Sequence, residues 1–145
     1  MQEQLQLIES QLYKSELTFP PLRDLLLRSG ELRAWYKYYR GYNQWVGKHY
    51  TEENVFLMSH VLIWNQISEN GRMTIYSFDL NEIAKIERAY AFEDKTLQKL
   101  VLSEATITFK GMKDGRTRDF VVLKRPLPAE MGNAEGFDKL LDLLY

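Results

Sequence analysis

Between Asn54 and Leu123 the chain alternates β-prone runs with short polar turn signals. A sequence punctuated in this way has few options besides antiparallel sheet. The run Val55–Ile67 leads into Ser68-Glu69-Asn70-Gly71, where Asn-Gly favours a hairpin because both residues tolerate positive φ. Arg72–Phe78 pairs back. Asp79 to Glu82 reads as a turn in which Asp and Asn satisfy local backbone donors. Ile83–Phe92 follows, then the polar turn Glu93-Asp94-Lys95. Leu97–Phe109 has Val101, Ser103, Ala105, Ile107 and Phe109 on one face. Lys113-Asp114-Gly115 is a further hairpin turn, and Arg116–Leu123 is its returning strand.

Helices are expected at both ends. Pro126 and Pro128 stop the sheet, and Asn133 is placed to cap a last helix whose apolar face is Phe137, Leu140, Leu141 and Leu144. At the N-terminus, Leu5, Ile8 and Leu12 make a narrow stripe on a helix over residues 2–16. So narrow a stripe either docks on the domain or pairs with a partner helix, including one from a second copy of the chain. Pro20-Pro21 is expected to break this helix and open a second one that ends at Gly30. Residues 31–46 fit either element, and their aromatic content favours a strand. The expected organisation is a helical extension over 1–30 and one mainly β (α+β) domain over 31–145. Its antiparallel strands form an open barrel of two sheets, plugged by the C-terminal helix.

The composition narrows the function classes. With 19 basic and 20 acidic residues, the chain lacks the positive excess expected of a nucleic-acid binder. It has no cysteine, which removes disulfides, thiol nucleophiles and thiolate metal sites. No stretch approaches the ~18 apolar residues of a membrane span, and the N-terminus lacks the pattern of a signal peptide. The expected location is the cytosol.

VFLMSHVLIWNQ, the Asn-Gly turn, MTIYSFDLNEIAKIE, ATITFKGMKDGRTRDFVVL and GFDKLLDLLY occur in that order. Residues 54–144 thereby resemble the bacterial pleckstrin-homology-like domains. The resemblance implies two near-orthogonal sheets, a C-terminal helix and a binding scaffold with no shared enzymatic activity. Lipid-binding relatives carry basic residues along the first hairpin, where this chain has only Arg72.

The candidate sites are mostly basic or aromatic. Arg33, Lys37, Arg40 and Lys48 interleave with aromatics, a pattern that suits an anionic surface or an amphipathic edge strand with its charges outward. Lys110, Lys113, Arg116, Arg118, Lys124 and Arg125 stand against only Asp114 and Asp119. Arg116 and Arg118 share a strand face and reach one phosphate, or the group protects a sheet edge. Trp35 and Tyr39 join Leu5, Ile8 and Leu12 as interface candidates. His49 and His60 lack the spacing of a metal pair, and the Asp79/Glu82 carboxylates are explained by the turn. Gly41 and Gly47-Lys48 miss the phosphate-loop spacing, and His49 stands where that loop needs a hydroxyl. No catalytic, cofactor or metal site is expected. The expected function is non-catalytic binding of a protein or peptide, with an anionic lipid head group as the alternative ligand.

Overall fold

The computed structural model describes residues 1–40, 51–68, 71–93, 95–113, 117–126 and 134–144. Helices α1 (Gln2–Gln11) and α2 (Ser15–Arg28) precede strands β1 (Ala34–Arg40), β2 (Thr51–Leu57), β3 (Val61–Ser68) and β4 (Met73–Asp79). A 3-10 turn at Leu80–Glu82 leads to β5 (Ile83–Phe92), β6 (Leu100–Lys113) and β7 (Thr117–Lys124), and α3 (Ala134–Leu144) follows. Strands β1-β2-β3-β4 form one antiparallel sheet and β5-β6-β7 a second. No ladder joins the two sheets among the described residues, so they are not closed into a barrel. Nor, among those residues, is any helix long and apolar enough to cross a membrane.

Strand β2, in the interior of the first sheet, is buried on both faces. Val55 and Leu57 join Tyr36, Leu62, Ile107, Val121, Phe137 and Leu140 in one core, between the two sheets and α3. Phe56 points the other way, into a second core with Ile63, Ile67, Leu5, Ile8, Leu22 and Leu26. The stripe Leu5–Ile8–Leu12 therefore docks on the chain's own sheet, with Ile8 fully buried.

Several boundaries differ from expectation. The helix breaks at Leu12–Lys14, where Leu12 is extended and Lys14 is left-handed (φ 52°). Pro20 and Pro21 lie inside α2. Their missing N–H groups would have served the carbonyls of Glu16 and Leu17, one turn earlier, and both of those residues are exposed to water. The run Val55–Ile67 also divides. Ser59-His60 turns it without glycine or proline, closed by Met58 N–H donating to Val61 O at 2.9 Å. Gly30 (φ 92°) packs against that turn, and Ser59 Oγ accepts from the Glu31 N–H at 3.2 Å.

In β6 the expected face holds at Ala105, Ile107 and Phe109. A register shift opposite Ala89/Tyr90 then reverses its phase, so Leu102 rather than Val101 packs on the core. At the Asp79 turn, Asn81 N–H donates to Asp79 Oδ1 at 2.9 Å, which is the local turn chemistry expected there. Asn70, Asp114, Gly115 and the expected cap Asn133 lie outside the described residues.

Candidate binding cleft

The break between α1 and α2 is fixed from below by two buried charges. Lys37 Nζ lies 3.0 Å from Glu52 Oε1, and both side chains are under 5% exposed. Glu52 Oε2 accepts from the Tyr13 backbone N–H at 3.2 Å, and Lys37 donates to the carbonyl of Gln11. The pair thus holds the chain on either side of Leu12. Thr18 Oγ1 closes the elbow by donating to Tyr13 O at 2.8 Å.

Beside this elbow, a cleft of about 420 Å³ opens between α2 and the β3–β4 turn. Ile67 and Met73, opposite each other in the ladder, are apolar lining from the sheet. Leu17 of α2, 71% exposed, and Tyr13 of the helix break, 45% exposed, complete the apolar lining. Lys14 and Arg72 are exposed at the rim, and no lining residue is acidic among the described residues. An apolar interior under two cations is chemically suited to a group that joins an apolar body to a negative charge.

The residues singled out in the sequence do not converge on one site. Lys37, expected to point outward, is instead buried and committed to Glu52. It occupies the sheet face that α1 covers, so the alternation placing Tyr36 in the first core turns Lys37 inward as well. Arg33 is exposed just before β1. Trp35 stacks on Phe56 with centroids 6.1 Å apart, and Tyr39 is 7% exposed beneath Lys37. Arg40 and Arg118 are placed by their backbones on β1 and β7, while Lys48 and Arg116 lie outside the described residues.

In the second basic group, Lys110 is exposed and Arg125 is half-buried. Arg125 Nε donates to Leu102 O at 2.7 Å, and its guanidinium pairs with Asp138 and lies over Phe137. His60 is exposed and His49 lies outside the described residues. No group of three or more metal-ligating side chains occurs among the described residues.

Sequence reasoning missed the cleft because its walls come from two distant segments, Tyr13–Thr18 and Ile67–Met73. The available signal was Tyr13 and Leu17, apolar residues off the Leu5–Ile8–Leu12 stripe with no assigned partner. No protein-family model, curated protein or solved structure matches the chain.

Proposed function

We propose that the protein is a non-catalytic binding module whose cleft takes a short acidic–apolar segment of a partner protein. One observation carries the reading: Lys14 and Arg72 flank an apolar lining of Leu17, Ile67 and Met73 that, among the described residues, contains no acid. Such a site favours a Leu- or Phe-like side chain with an adjacent Asp or Glu, because burial supplies affinity and charge supplies orientation. The order of elements, two antiparallel sheets and then a helix, supports reading the scaffold as pleckstrin-homology-like.

The test is a display selection of random peptides on the full chain, repeated on a Lys14→Glu/Arg72→Glu variant. The reading expects enrichment of acidic residues beside large apolar ones, lost in the variant. Unbiased sequences, or equal capture by the variant, would refute it. Binding to anionic vesicles with no selected peptide would move the cleft to the lipid-surface alternative.

A further inference from the structure

The opposite face of the same sheet end carries a second cavity, of about 340 Å³, lined by Thr51, Gln66, Ser68, Arg72, Thr74 and Tyr76. The register makes this one surface. Thr51 lies opposite Ser68, Gln66 opposite Thr74, and Trp64 opposite Tyr76. The face is apolar where Val55, Leu57 and Leu62 meet the second sheet, and polar here.

Two features hold the site in shape. Glu53, 2% exposed, accepts from Gln66 Nε2 at 3.2 Å and from Trp64 Nε1 at 3.3 Å, so the Gln66 amide is oriented with Oε1 as its remaining acceptor. The Tyr76 ring, 41% exposed, lies 5.3 Å from Trp64 and 6.2 Å from Phe78, the latter stacked on Phe109 at 4.6 Å. An aromatic ladder therefore runs from the core to the cavity wall.

We infer that this cavity binds a sugar ring. Hydroxyls of Thr and Tyr both donate and accept, as sugar hydroxyls require of their partners. An exposed, rigidly held aromatic ring offers a platform for the C–H face of a pyranose. Arg72 adds guanidinium donors for ring hydroxyls. The volume lies within the ~300–1,000 Å³ of small-ligand sites. The cavity shares Ser68 and Arg72 with the cleft on the helix side, whereas Thr74 and Tyr76 line this cavity and not that cleft.

The experiment is saturation-transfer NMR on the full chain with methyl glycosides of glucose, galactose, mannose and N-acetylglucosamine. Wild type and the variants Tyr76→Ala and Thr74→Val are compared, each checked for native melting. The expected result is transfer to the ring protons of at least one glycoside, with about tenfold weaker binding in a natively folded variant, equivalent to ~1.4 kcal/mol. No transfer from any glycoside, or binding unchanged in both variants, would overturn the inference. So would displacement of the glycoside by inorganic phosphate, which would mark an anion site.

Discussion

Lys37 and Glu52 form a 3.0 Å ion pair beneath α1, and between them they hold the backbone on both sides of the helix break. Removing the cation alone strands a carboxylate away from water. Lys37→Met is expected to cost about 3–5 kcal/mol. In Lys37→Met/Glu52→Gln, the amide oxygen still accepts from Tyr13 and no charge is buried, so more than half of that loss should return. Denaturant unfolding with the m-value held constant measures both. A single-variant loss below about 1 kcal/mol would contradict the assigned burial.

Asn65 is fully buried in β3, and neither atom of its amide has a hydrogen-bond partner among the described residues. Its neighbour across the β3–β4 ladder is Ile75. An unpaired buried polar group costs about 1–3 kcal/mol. Asn65→Val is therefore expected to raise the unfolding midpoint. A clear drop would mean that the amide is satisfied in solution.

Gly30 and Gly71 both have φ near +90°, but their surroundings differ. A Cβ at Gly30 would meet Ser59 Oγ at 3.1 Å, whereas one at Gly71 meets nothing within 4 Å. Gly71→Ala should cost about 1–2 kcal/mol from backbone conformation alone. Gly30→Ala should cost more, because Ser59 has to give way. Equal melting temperatures for the two variants would count against the contact.

Leu17 separates stability from binding. At 71% exposure it contributes little to the core, so Leu17→Asp should change stability by no more than about 0.5 kcal/mol. The same change puts a negative charge beside Lys14 and should weaken a selected acidic–apolar peptide at least tenfold, or ~1.4 kcal/mol. Isothermal titration of the same peptide in rising salt should show falling affinity, since the rim charges are exposed. Salt-independent affinity would remove Lys14 and Arg72 from the contact.

The β-rich architecture was legible wherever turn chemistry was explicit. Gly71 marked a turn, and the apolar face of α3 was plain at Phe137, Leu140 and Leu141. The Ser59-His60 turn was not, because its geometry is stabilised by Gly30 and Glu31 from a distant segment. The reading of Pro20-Pro21 as a break failed for a related reason. Local propensity sees the lost N–H groups but not that Glu16 and Leu17, whose carbonyls they leave, are exposed. Lys37 misled most, since a lysine in an aromatic strand reads as solvent-facing until a buried carboxylate is known to wait for it. Neither cavity was visible, since each depends on the register between strands rather than on any local pattern.

Two-sided burial of β2 sets how the strands align. On β2, Glu52, Asn54 and Phe56 face the helices while Glu53, Val55 and Leu57 face the second sheet. A slip by one residue would push Glu53 under α1, away from Trp64 and Gln66, and carry Glu52 away from Lys37 and the Tyr13 N–H. Most sheets with one wet face tolerate part of such an error. Here misalignment is penalised on both sides at once, so α1 and α2 proofread the pairing of strands that follow them in the chain.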